Sequence, residues 1–305
     1  MKTLGIVTCE SVLPHARSEE RPLFTKDDLH MIRVWEARGH KVLPLVWTKP
    51  LPTDVTLDAV VVRSPWDYQE DMEGFLAWLQ SVEDAGIPLA NDLETIRWNI
   101  DKRYLLELAE QGLPSIPTVL LNPEETHVSL KSIMDKEGWG EAIVKPAVGA
   151  GAKNNFRLTL DTVERFETES FAALRQEGAY LLQPFVKEVV TAGEWSLTFF
   201  GGIYSHSALK KAKAGDYRVQ DDHGGSTHAE SAPASLVAQA KEVLKLIDRP
   251  LLYARVDGIE VDGDFRLIEV ELIEPELFLR AGERAGELFA DAIEQWLDLK
   301  KGQTS

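Results

Sequence analysis

The stretch from Tyr253 to Glu271, Tyr-Ala-Arg-Val-Asp-Gly-Ile-Glu-Val-Asp-Gly-Asp-Phe-Arg-Leu-Ile-Glu-Val-Glu, narrows what this chain can become more than any other. Apolar and charged residues alternate on either side of Asp262-Gly263, which is the signature of a β-hairpin. Residues two apart on a strand point the same way, so Glu269 and Glu271 share a face. Asp257 joins them if the pairing sum of the two strands is even. That asks for a three-residue or otherwise odd-length loop around Gly263, and it sets Asp257 opposite Glu269 and Arg255 opposite Glu271. Converging carboxylates repel and raise one another's pKa unless a cation neutralises them. Oxygen donors without His or Cys suit Mg²⁺ or Mn²⁺ held jointly with a phosphate. A solvated acidic face with Arg255 as a rim partner is the other reading of the same hairpin.

At 305 residues, 44% of them hydrophobic, the chain has room for two or three lobes with separate cores. A formal net charge of −17 argues against nucleic acid or an anionic membrane as partner, because phosphate-rich surfaces are bound through basic patches. A small anionic substrate stays open, since Lys and Arg can reverse the sign inside a cleft. Cys9 is the single cysteine, so neither an internal disulfide nor a zinc cluster can form; it reads as a small buried hydrophobe. Met1 to Cys9 leads directly into a strand without a signal-peptide pattern, and no window approaches the ~20 apolar residues needed to span a bilayer. The expected location is cytoplasmic, and a homo-oligomer is open.

Along the chain, Leu4–Thr8, a helix from Asp27 to Arg38 and a strand from Lys41 to Trp47 make a β-α-β start. Asp58–Arg63 is a third strand, Met72 to Ala85 a helix, and Ile87–Asn91 a further crossover, giving a parallel α/β lobe. The middle of the chain is α+β, with a helix from Lys102 to Gln111, a strand at Ala142–Lys145, a helix from Leu160 to Gln176 and a strand from Tyr180 to Val186. Antiparallel hairpins follow, one turning at Gly201-Gly202, flanked by helices near 234–247 and 282–297.

Gly149 and Gly151 after the strand ending in Lys145 make a loop whose N–H groups can cradle phosphate, with Lys145 as a point charge beside it. It is neither a Walker A loop nor a Rossmann fingerprint, and a plain surface turn fits it equally. Lys102, Lys210 and Lys211 read one at a time as solvated charges.

Taken in order, these features resemble the ATP-grasp superfamily of carboxylate–amine ligases, in the glutathione-synthetase-like group. Asn99-Ile100-Asp101-Lys102-Arg103-Tyr104-Leu105 looks like the family's first nucleotide lysine, a role that falls to Lys102. Ile143-Val144-Lys145-Pro146 with Gly149, Ala150, Gly151 and Ala152 resembles the second lysine and the mobile Gly-rich loop. Leu182-Gln183-Pro184-Phe185-Val186 looks like the hinge, whose backbone near Phe185 and Val186 meets adenine, and Glu194 resembles the acid that reaches ribose. Asp257, Glu269 and Glu271 fall on the magnesium positions. The resemblance implies three lobes, 1–95, 96–185 and 186–305, with ATP and Mg²⁺ (or Mn²⁺) between them.

Two departures stand out. Glu271 takes a position where many relatives have Asn, and Trp195-Ser196 lacks the basic residue often found shortly after the ribose acid; Arg255 is the expected substitute, with Lys210 a further catalytic cation. Arg218, in the loop from Ala214 to Gly225, resembles an arginine that receives a substrate carboxylate. Val62-Arg63-Ser64-Pro65-Trp66-Asp67-Tyr68, Gly193-Glu194-Trp195-Ser196-Leu197 and Glu269-Val270-Glu271-Leu272-Ile273-Glu274-Pro275 are similar to the branch that contains the O-ureidoserine cyclo-ligase of cycloserine biosynthesis. Arg63, Ser64, Trp66 and Asp67 follow the third strand, where open α/β sheets gather ligands, so Arg63 can take an amino-acid carboxylate and Asp67 an ammonium. An Arg63–Asp67 pair under a packed Trp66 is the alternative. The implied reaction is phosphorylation of a carboxyl or carbonyl oxygen by ATP, then amine attack on a small amino-acid-like substrate. A nucleotide-binding regulatory protein of the same fold is the rival. An NAD-dependent oxidoreductase would need a Gly-rich turn after the first strand, and Thr8-Cys9-Glu10-Ser11 is not one.

Overall fold

The computed structural model describes residues 1–12, 16–125, 127–149, 151–220 and 223–303, with backbone alone for 301–303. Strands β1 (Thr3–Thr8), β2 (Lys41–Val46), β3 (Ala59–Ser64) and β4 (Leu89–Ala90) form a parallel sheet in the order β2-β1-β3-β4. Every residue of β1 and β3 is buried, as the unbroken apolar runs require of strands covered on both faces. The helix Leu29–Ala37 covers one face, and the C-terminal helix Ala285–Gln303 packs there too. Phe289 and Ile293 share a core with Leu4, Ile6 and Trp35, and Arg38 pairs with Asp291 at 2.7 Å. The last helix thus closes the core of the first sheet.

The second sheet is antiparallel, β5 (Val119–Leu121), β6 (Glu141–Pro146), β7 (Phe156–Thr159) and β8 (Tyr180–Pro184) in the order β5-β8-β6-β7. The helical stretch expected over 160–176 is interrupted, with a wider turn at Glu167–Phe171 that seats Phe171 beside Val144 and Leu182. The third sheet runs β11-β10-β9-β12-β13, built from β9 (Glu194–Phe200), β10 (Ile203–Lys211), β11 (Ser226–Ala229), β12 (Tyr253–Val261) and β13 (Asp264–Glu271). One parallel α/β sheet followed by two antiparallel sheets with helices is the α/β and α+β architecture expected.

The helix expected from Lys102 to Gln111 is present as Tyr104–Glu110, and a further helix that the sequence reading did not include, Leu93–Ile100, capped by Asp92, precedes it across a break at Asp101-Lys102. There the Lys102 amide donates to the Ala147 carbonyl (2.8 Å), tying the break to the end of β6. The two helices also seal the exposed edge of β13. Asn99 donates to Val270 O (2.8 Å) and accepts from Leu272 N (2.9 Å), Tyr104 exchanges bonds with both the N–H and C=O of Val270, and Leu267 pairs with Pro114 and Ile116. An edge strand left bare exposes unpaired backbone groups; here they are satisfied by side chains that also fix the strand's position.

Replacing Asn99 by Ala leaves the buried Leu272 N–H, just past β13, without its partner, while the Val270 carbonyl keeps the Tyr104 hydroxyl; an orphaned buried group costs about 1–3 kcal/mol. The expected result is a loss of about 1–3 kcal/mol in urea unfolding; a loss below about 0.5 kcal/mol would show that the edge is held by other contacts.

Candidate active site

The three sheets enclose a cleft of about 1220 Å³. Its floor is the β12–β13 hairpin. Asp257 pairs with Glu269 and Arg255 with Glu271, the register expected, but the loop is not odd. Asp262-Gly263 is a two-residue turn with φ of +54° and +87°, the geometry for which Asp-Gly is suited, and it alone would give the wrong parity. The register shifts where Gly258 pairs with Leu267 and Asp257 with Glu269, so Ile268 is an extra residue in β13. This β-bulge, and not the loop, brings the acids to one face while Leu267 and Val270 stay in the core.

Each acid is matched by a cation. Lys102 pairs with Glu269 at 3.1 Å, Arg255 with Asp257 at 2.8 Å and also with Glu271, and Lys210 with Asp257 at 3.0 Å and Glu194 at 2.5 Å. Lys210, unremarkable when read alone and expected from the resemblance as a further catalytic cation, is buried. It sits on β10 opposite Glu194 and reaches across β9, over Ser196, to Asp257 on β12. The small Ser196 leaves room for this span, so the cation missing from Trp195-Ser196 comes from the next strand. Burial pushes Asp257 up, but Arg255 and Lys210 more than reverse this and hold it well below the usual carboxylate range. Burial, reinforced by Asp257 and Glu269 against the pull of Arg255, pushes the Glu271 carboxyl up to about 8. Burial likewise raises Glu194 against the pull of Lys210.

Three carboxylates on one face with no thiol or imidazole among them are donors suited to a hard divalent cation. Among the described residues, however, no three such groups stand in metal-binding convergence; Glu269 turns to Lys102, and Asp257 and Glu271 share Arg255.

Opposite the hairpin, Lys145 is buried on β6, its pKa lowered by burial and by Lys102 nearby. Gly149 and Gly151 line the cleft, the Gly149 carbonyl accepts from the Lys102 ammonium, and Ala152 adopts a positive φ of 54°. Ala150 lies outside the described residues. Gln183, Phe185 and Val186 line the same end. The Phe185 amide already donates to Glu141 O (2.9 Å), its ring lies 3.7 Å under the Arg157 guanidinium, and Gln183 donates to Thr118 (2.8 Å). Gly193 before Glu194 has φ of +100°, and a Cβ there would stand 2.7 Å from the Lys210 carbonyl oxygen, so glycine is required beside this ion pair.

On the substrate side the structure separates the candidates. Arg218 lines the cleft, held by Asp216 at 2.8 Å, and Trp66 lines it as well. Arg63, Ser64 and Asp67 are not brought to it. Arg63 is buried, donating to Asp28 (2.8 Å) and Pro275 O (2.7 Å), so the Arg63–Asp67 pair does not form either. Asp67 accepts from Trp47 (2.6 Å) and Ser11 (3.0 Å), and Ser64 bonds Thr8 (3.1 Å). A guanidinium deep in the fold takes the nearest buried carboxylate, and Asp28 lies on the covering helix turn. Sequence reading missed Asn99 and Tyr104, which hold β13, and Tyr217, whose hydroxyl donates to Asn155 O (3.0 Å) and whose ring meets Phe185 edge-on. For Asn99 and Tyr104 the only signal was their place in the string around Lys102.

This fold and charged cleft define an ATP-grasp ligase. Residues 4–91 match the family described as the N-terminal domain of D-cycloserine synthetase DcsG. The cycloserine biosynthesis protein DcsG of Streptomyces lavendulae is 33% identical over 255 residues, 79% of this chain and 83% of that protein. The crystal structure of D-cycloserine synthetase DcsG superposes with a TM-score of 0.84 at 29% identity, over 97% of this chain and 99% of the other. A D-alanine–D-alanine ligase from Bacillus anthracis shares the fold at a TM-score of 0.69 and 18% identity, over 99% and 100%. The chain belongs to the DcsG family of ATP-dependent ligases. Among the described residues no helix is long and apolar enough to cross a membrane.

Replacing Lys210 by Met leaves Glu194 and Asp257 buried with less compensation. The expected destabilisation is about 3 kcal/mol at pH 7. Asp257 is depressed in the fold, so its contribution is present above the unfolded carboxylate range and lost as pH falls. The gap between variant and wild type therefore narrows on acidification; a gap independent of pH in chemical denaturation would contradict the pairing.

Proposed function

We propose that the chain phosphorylates the carboxyl or carbonyl group of a small amino-acid-like substrate with ATP and forms a C–N bond by amine attack, closing a ring as in cycloserine formation. The observation that carries this is the cleft floor, where Asp257, Glu269 and Glu271 alternate with Lys102, Lys210 and Arg255. Such a site works by positioning and charge neutralisation, and it needs no side-chain nucleophile. Lys102 and Lys145 receive phosphate oxygens, the loop at Gly149, Gly151 and Ala152 covers them and excludes water, and Gln183 with the backbone of Phe185 and Val186 borders the base. Glu194 takes the ribose. Asp257, Glu269 and Glu271 would hold Mg²⁺, whose charge, when bound, offsets that of the phosphates.

Arg255 and Lys210 stand beside these acids as the cations facing the transferred group. Arg218 receives a substrate carboxylate once it leaves Asp216, an exchange of one carboxylate for another. Arg63, Ser64 and Asp67 brace the wall behind Trp66 at the substrate end. The working division is three lobes, 1–95, 96–185 and 186–305, clasping the nucleotide from both sides.

Glu269→Gln is expected to lower ADP release by at least about 100-fold with the fold intact by circular dichroism. Activity near wild type in this variant would remove Glu269 from the metal set. Lys145→Ala is expected to weaken ATP binding about tenfold by calorimetry; unchanged affinity would place the phosphates elsewhere.

A further inference from the structure

Glu274 follows Glu271 by three residues and lines the cleft with Tyr68 and Trp66. These two aromatics come from the opposite wall, just after β3. The Trp66 indole donates to the Glu274 backbone carbonyl at 3.4 Å, and the Tyr68 hydroxyl lies beside the Glu274 carboxyl. Tyr68 is itself fixed, its amide on Pro65 O at 2.9 Å and its ring 4.8 Å from that of Phe75. Glu194, Asp257, Glu269 and Glu271 all have a cation in contact, whereas among the described residues Glu274 makes no ion pair. The charged and titratable groups facing it are Tyr68, Lys102 and Glu269, with Glu271 beyond Tyr68.

We propose that Glu274, oriented by Tyr68, is the general base for C–N bond formation, receiving the proton of the attacking substrate nitrogen. The assignment rests on the ligase reading above. In the step, the nitrogen lone pair forms the bond to the activated acyl carbon. The bond from that carbon to the phosphate oxygen breaks with its electrons leaving on phosphate, and the proton lost by nitrogen goes to a carboxylate oxygen of Glu274. An acid already ion-paired is a poor acceptor, which sets Glu274 apart from its neighbours. Burial pushes its carboxyl up to about 7, with Tyr68 and Lys102 pulling down and Glu269 pushing up. A base with a pKa near the working pH both takes a proton and gives it up again.

The test uses the full chain with ATP, Mg²⁺ and O-ureidoserine, reading ADP release, ring closure, and hydroxamate formed when hydroxylamine traps the activated acyl group. Hydroxylamine is uncharged and strongly nucleophilic at neutral pH, so it needs no base. Glu274→Gln is expected to lower ring closure about 100-fold while ADP affinity and trapped hydroxamate stay within about threefold of wild type. The acidic limb of the wild-type kcat–pH profile flattens. Tyr68→Phe keeps the plateau and moves that limb to higher pH, because the hydroxyl that lowers the carboxyl's pKa is gone. Ring closure by Glu274→Gln within about threefold of wild type, or hydroxamate falling in parallel with it, overturns the assignment. If wild type yields neither ADP nor hydroxamate, the ligase reading itself fails and takes the proposal with it.

Discussion

The bulge at Ile268 constrains everything else in the cleft, since a strand's side chains alternate and a single added residue exchanges its faces. With the two-residue Asp262-Gly263 turn and no bulge, Glu269 and Glu271 would turn to the side occupied by Leu267 and Val270, leaving two carboxylates in an apolar core. Burying them there without partners costs far more than a hairpin can supply. The register is held from outside as well: Asn99 and Tyr104 grip the Val270 and Leu272 backbone, which a slip would displace. The segment that presents Lys102 is thus the one that fixes the strand carrying its partner Glu269.

Electrostatics follows from that geometry. In a chain with a net charge of −17, four cations, Lys102, Lys145, Lys210 and Arg255, are buried around one cleft. A buried charge is tolerated when paired and hydrogen-bonded, and here the pairing runs across four strands of one sheet. The cations and acids organise each other before any ligand arrives. A nucleotide entering this cleft exchanges contacts more than it creates them: phosphate oxygens would replace Glu269 and the Gly149 carbonyl at Lys102. That is charge compensation held in advance, and it avoids the reorganisation that makes phosphate chemistry slow in water.

Much of this was legible from residues alone. The alternation around Asp257, Glu269 and Glu271, the order of Lys102 and Lys145, the glycines at 149 and 151, and the α/β start each carry a local signal. What stayed hidden depends on residues distant in the chain. A bulge leaves no mark in the alternation of a short strand, so its effect was assigned to the loop. The helix Leu93–Ile100 ahead of Lys102 was not read at all. Lys210 was expected as a cation of the site, but its partners Glu194 and Asp257 emerge only once β9 and β12 lie beside β10, and Arg63 finds its carboxylate at Asp28, 35 residues earlier. Glu274 is one acid in an acidic chain, and only the fold shows that it alone among the floor's carboxylates meets a tyrosine where the others meet a cation.

The joints between the sheets differ in kind. The parallel sheet and the hairpin sheet are bound by buried bonds: Asn91 to Tyr253 O, Leu272 O and Leu252 N, and the Tyr253 hydroxyl to Val62 O and Ile273 O. The C-terminal helix adds an apolar core shared between them. By contrast, the Gly-rich side of the second sheet meets the rest at the cleft through polar contacts: Lys102 to Gly149 O, Tyr217 to Asn155 O and His223 to Gly151 O. Apolar cores, including the one in which Ala147 and Leu181 join the third sheet, repack only at large cost, whereas single polar contacts lining an open cleft trade partners more easily. The walls that place Glu274, Tyr68 and the three acids are therefore the rigid part of the molecule, and the contacts at the Gly-rich loop are those a nucleotide can take over. A substrate held on the rigid side and a phosphate covered from the adjustable side is the arrangement in which a reactive acyl group can form, stay dry and meet an amine already in place.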